Sequence, residues 1–106
     1  MLLVVHEPPG HEARVVATNP DAAEIATTIK TMPWSDLTFV VLRTDENNWI
    51  EGSGSLKPED GLSARYMVNG EEHVAAQAPS SLDELVALLQ SYSKGDGRWQ
   101  QLIEWR

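Results

Sequence analysis

The sequence predicts an α+β domain: an antiparallel-rich sheet of about six or seven strands with two helices, in the order ββ-α-ββββ-α-β. Three observations carry this reading. Short runs of apolar and β-branched residues lie between turn signals, and the clearest of them alternates with period two. Two longer stretches place apolar residues at helical spacing. Asn69-Gly70 separates two strand-like runs with the dipeptide best suited to a type I′ hairpin, whose central residues take positive φ.

Leu2 to Glu7 forms the first strand, and Pro8-Pro9-Gly10 turns the chain. Ala13 to Thr18 follows, centred on Val15-Val16. Asn19-Pro20-Asp21 starts a helix, with Asn19 as its cap and Pro20 at its first position. Ala22, Ile25, Ala26, Ile29 and Met32 fall on one face of that helix, and Pro33 ends it. Leu37 to Thr44 is the most hydrophobic strand, and its nearly unbroken apolar run predicts cover on both faces. Asp45-Glu46-Asn47-Asn48 is a hairpin turn leading into a strand from Trp49 to Leu56. The small residues Gly52 to Ser55 suggest a bulge or kink there.

After the turn Lys57 to Gly61, the stretch Leu62 to Val68 alternates as a half-exposed strand. It places Ser63, Arg65 and Met67 on one side. Glu71 to Ala78 pairs back. The last helix has Ser81 at its N-cap and Glu84 three residues on, a capping box. Its buried stripe is Leu82, Leu85, Val86, Leu89 and Tyr92, and Gly95 can take the left-handed cap. Trp99 to Trp105 alternates as a closing strand.

The chain has 106 residues, the size of a single domain able to bury its own core. No repeat, linker or composition shift divides residues 1–106. The net charge of −8 disfavours binding to nucleic acid and to anionic membranes. With no cysteine, disulfides and thiolate metal sites are excluded. The short apolar N-terminus reads as a strand, not as a signal peptide, so the expected compartment is the cytoplasm.

No catalytic constellation emerges, and no cofactor or metal is expected. His6-Glu7 and His11-Glu12 hint at a zinc motif, but the spacing is five and Pro8-Pro9 forbids a helix between them. A hairpin could still bring the two histidines together. Gly52-Ser53-Gly54-Ser55 matches neither a phosphate loop nor a nucleophile elbow. The acid pairs Glu59-Asp60 and Glu71-Glu72 lie in turns, where solvation explains them. Four tryptophans stand beside a single phenylalanine. They read as core residues or, in one or two cases, as exposed anchors at a protein interface.

Five segments occur in a telling order: Trp49-Ile50-Glu51-Gly52-Ser53-Gly54, Leu62-Ser63-Ala64-Arg65-Tyr66, Pro79-Ser80-Ser81-Leu82, Tyr92-Ser93-Lys94-Gly95 and Leu102-Ile103-Glu104-Trp105. This order resembles the first-numbered family of immunity proteins of bacterial polymorphic toxin systems, over roughly Ala22 to Trp105. The resemblance implies a small acidic domain that acts by binding and has no catalytic residues. Its partner would be a cognate toxin domain, often a nucleic-acid deaminase, and a basic one by charge complementarity. The residues expected at the interface are Asp45, Glu46, Glu59, Asp60, Glu71 and Glu72, with Trp49 as an anchor. Self-association stays open. The competing reading is a non-catalytic adaptor or subunit of another bacterial system, and a small enzyme comes third.

Overall fold

The computed structural model describes every residue from Met1 to Arg106. Six strands form one antiparallel sheet: β1 (Leu2–His6), β2 (Ala13–Thr18), β3 (Thr38–Asp45), β4 (Asn48–Gly54), β5 (Leu62–Val68) and β6 (Glu71–Val74). Their order across the sheet is β2-β1-β3-β4-β5-β6. Helix α1 (Ala22–Thr31) connects β2 to β3, and α2 (Leu82–Lys94) follows β6. The α+β class and the early element order are therefore as the sequence predicts.

Period-two alternation sorts each strand into two faces. Leu3 and Val5 of β1, Val40 and Leu42 of β3, and Ile50 of β4 are completely buried on one face. There they join Ile25 and Ile29 of α1 and Leu85, Leu88 and Leu89 of α2 in a single core. Gly52 lets α2 settle onto β4, since a Cβ there would lie 2.3 Å from Leu85 Cδ1. Both helices use the same side of the sheet, and they pack against each other.

The expected two-sided cover of β3 is corrected by this arrangement. Thr38, Val40 and Leu42 are fully buried beneath the helices, while Phe39 and Val41 face the other way and are half-buried. An apolar run cannot by itself report how many layers cover it.

The ending also differs. Trp99 to Trp105 is not a strand: Trp99–Leu102 forms a single helical turn, α3, and only Trp105 bridges Ala75. A local network overrides the alternation. Ser91 Oγ accepts from the Trp99 backbone N–H and donates to Asp96 Oδ1, which also accepts from Arg98 N–H. Gly97, at φ 76°, completes the tight reversal. These bonds hold Asp96 below the usual carboxylate range, with Ser91 the larger cause and Arg98 N–H the next. A depressed folded-state pKa stabilises the fold fully above the ordinary value of 3.8 and loses that contribution as pH falls through the folded value. Asp96→Asn should therefore lower the urea midpoint near neutrality and narrow its gap from wild type as the pH drops below about 4.

Smaller boundary corrections have equally local causes. Asp21, not Asn19, caps α1, in a reciprocal box with Glu24. Asn19 instead takes φ 49° and accepts from the N-terminal amine. Ala22 is exposed, and Met32 is the C-cap. β4 ends at Gly54 and β6 at Val74, short of the expected Leu56 and Ala78. At α2 the Ser81 hydroxyl accepts from Glu84 N–H as expected, whereas the Glu84 carboxylate reaches Ser80 instead of closing the box on Ser81. Ser81→Ala should cost about 1 kcal/mol in urea unfolding. An unchanged midpoint would place the cap at Ser80. Gly95 takes the left-handed C-cap with φ 71°.

Candidate functional interface

With α1 and α2 on one side, the opposite face of the sheet is left without a covering layer. The register places its residues. Glu51 of β4 pairs with Arg65 of β5, and Trp49 with Met67. Arg43 of β3 pairs with Trp49, and Arg65 pairs with Val74 of β6. Each of these side chains projects from the helix-free face, because its strand neighbours Leu42, Ile50, Ala64 and Tyr66 belong to the core side.

Arg65 is the centre of this face. Its Nε lies 2.9 Å and its Nη2 3.3 Å from the two Glu51 oxygens, a bidentate pair. Nη1 reaches Glu72 at 3.1 Å. The guanidinium carbon sits 5.3 Å from the centre of the Trp49 ring, within cation–π range. The hydrogen bond to Glu51 is the main cause that pushes the arginine's pKa up, so its charge persists at every working pH. Glu51 is buried and Trp49 half-buried. The result is an aromatic ring and a cation held in fixed register, at a point where both are still accessible.

A second cluster lies beside it. Histidines 6 and 11 do meet in space: both approach Phe39 edge-on, with ring centres 6.2 and 6.1 Å away. His6 Nδ1 donates to the His11 carbonyl at 3.0 Å, and His11 Nε2 to the Leu37 carbonyl at 2.7 Å. A carbonyl only accepts, so each imidazole must carry its proton at that nitrogen. No group of three His, Cys, Asp or Glu side chains is placed to hold a metal.

The acids named from the sequence separate into different roles. The β3–β4 and β5–β6 hairpins share one end of the sheet, joined by Gly70 N–H to the Asn47 carbonyl at 3.1 Å. Asp45, Glu46 and Glu71 therefore lie at the same end of the sheet, while Glu59 and Asp60 lie in the β4–β5 loop at the other end. Asp45 works locally: hydrogen bonds from the Asn48 side chain and then the Asn47 backbone lower its pKa while they hold the turn. Asp60 accepts from Ser55 Oγ at 2.8 Å. Glu72 belongs to the Arg65 pair, and Glu71 lies 3.4 Å from His73 Nε2. Glu46 and Glu59 are exposed and outside every ion pair.

Trp49 is the one tryptophan on the helix-free face. Trp34 and Trp99 are buried in the core, and Trp105 packs against it. Glu51, Arg65 and Phe39 share this face although the sequence does not single them out. Alternation does place Arg65 on the exposed side of β5, but its pairing with Glu51 depends on a register set across the loop from Ser55 to Gly61.

No family model, curated protein or solved structure matches the chain. No helix is long and apolar enough to cross a membrane.

Proposed function

We propose that this protein is a cytoplasmic immunity protein that binds a cognate bacterial toxin domain and neutralises it without turnover. The observation that supports this best is the helix-free face, where Glu51 and Glu72 hold the Arg65 guanidinium against the Trp49 ring. Tryptophan and arginine are the residues most enriched among interface hot spots. Immobilising them before binding reduces the entropy lost on association. The net charge of −8 favours a basic partner, such as a toxin that acts on nucleic acid, whose substrate groove this protein would occlude. The family resemblance of the segments from Trp49 to Trp105 supports the same reading.

The proposal assigns two kinetic roles. Exposed acids such as Glu46, Glu59 and Glu71 speed association by steering, so raising the salt slows the on-rate. Trp49 anchors the complex. Trp49→Ala should raise the off-rate about tenfold or more and leave the on-rate close to wild type. Surface plasmon resonance against the toxin domain encoded beside this gene measures both. Equal rates for wild type and Trp49→Ala would remove the helix-free face from the interface.

A further inference from the structure

The two edges of the sheet are finished differently. At β6 the chain covers itself: Arg106 N–H donates to the Val74 carbonyl and Ala76 N–H to the Glu104 carbonyl, both at 2.8 Å. Trp105 bridges Ala75 there. At β2 nothing pairs beyond the bond to β1. That open edge carries Val15 and Val16, exposed by 55% and 37%. Unpaired edges template the addition of another strand.

Each face beside this edge has a recess, of about 300 and 310 Å³. The one on the helix-free side is apolar at its β2 end, where Ala13, Val15 and Val4 line it, and carries Arg43 and Glu51 farther in. The one on the helix side lies between Val16 and the exposed surface of α1, and its lining includes Asp21 and Glu24 but no Lys or Arg. Neither carboxylate joins an ion pair. Each spends one oxygen on a backbone N–H in the capping box, and a carboxylate has two.

A strand laid along β2 would send alternate side chains to opposite faces. We infer that β2 is a docking edge for an extended partner segment that alternates apolar with basic residues. The apolar set packs on Ala13 and Val15 at the near end of the helix-free recess, and the lysines or arginines enter the recess of Asp21 and Glu24. This rests on the immunity reading for the identity of the partner and supplies its binding mode. A second copy of this chain fits poorly. Its own β2, Ala-Arg-Val-Val-Ala-Thr, has one cation, Arg14, already paired with Glu7.

The probe is a capped peptide of about eight residues alternating valine and lysine, titrated into the isotope-labelled full chain. Amide shifts and slowed hydrogen exchange are expected at Ala13 to Thr18, weakening as salt rises. The same peptide with glutamate for lysine should leave these amides unmoved. Val16→Lys, at an exposed site that should not disturb folding, is expected to weaken the lysine peptide about tenfold or more. The inference is overturned if the lysine peptide leaves β2 unmoved, if the glutamate peptide binds as well, or if Val16→Lys binds like wild type. It is also overturned if sedimentation shows a dimer that protects the β2 amides without any peptide. Because no toxin enters this experiment, its failure removes the edge mode alone. The immunity reading is decided by neutralisation of the toxin itself.

Discussion

Replacing Gly54 by alanine is expected to destabilise the protein by about 3 kcal/mol or more, measured by urea unfolding. Gly54 has φ 116°, a conformation that side chains rarely tolerate. A Cβ there would fall 2.0 Å from the Gly61 carbonyl oxygen and 3.1 Å from Leu62 Cα. Both are backbone atoms, so no rotamer change relieves the collision. The β4–β5 loop, held by Ser55 N–H to that same Gly61 carbonyl, would have to open. Gly61→Ala is the control. Its φ is 69°, but nothing lies within 4 Å of the added Cβ, so only about 1 kcal/mol is expected. Equal midpoints for the two variants would mean that close backbone approach is not what requires glycine at position 54.

Trp99→Ala should cost about 3–5 kcal/mol. The indole is 6% exposed and meets Tyr66 at 4.7 Å, Tyr92 at 5.4 Å and Trp105 at 6.0 Å between ring centres. Truncation removes the shared neighbour of three aromatic rings and leaves a cavity between α2 and β5. The Trp105 indole N–H, which donates to the Trp99 carbonyl at 3.3 Å, would lose its alignment. The chain end that covers β6 should then loosen. Hydrogen exchange at Val74 to Gln77 and at Arg106 is expected to quicken well before global unfolding, and near-ultraviolet circular dichroism should fall. Retained protection at Arg106 would show that the chain end is held independently of Trp99.

Much of the architecture was legible in the residues because its signals are local. Asn69 and Gly70 do take φ 50° and 82° in a tight hairpin. Ser81 and Gly95 bracket α2, and the Leu85, Val86 and Leu89 stripe is buried, joined by Leu88. What failed needed information from elsewhere in the chain. Trp99 to Trp105 alternates like a strand, yet a hydroxyl eight residues earlier, Ser91, claims the Trp99 N–H and turns the segment into a helix. Which residues of β3 stay half-exposed depended on both helices choosing the same side. The Trp49–Arg65–Glu51 grouping is a product of register, which sequence separation hides. The acids looked alike as turn residues. Only their partners distinguish Asp45 and Asp60, which hold loops, from Glu46 and Glu59, which do not.

The central claim is the proposed neutralisation by binding, and the most direct measurement is co-expression with a candidate toxin domain from a neighbouring gene. We expect cells carrying both proteins to grow, and the two chains to elute together from a sizing column at the mass of a complex. The complex should weaken in Trp49→Ala under conditions where circular dichroism shows that variant still folded. Cell death despite soluble, folded protein, with no complex on the column, would contradict the immunity reading and favour an adaptor domain with a different partner.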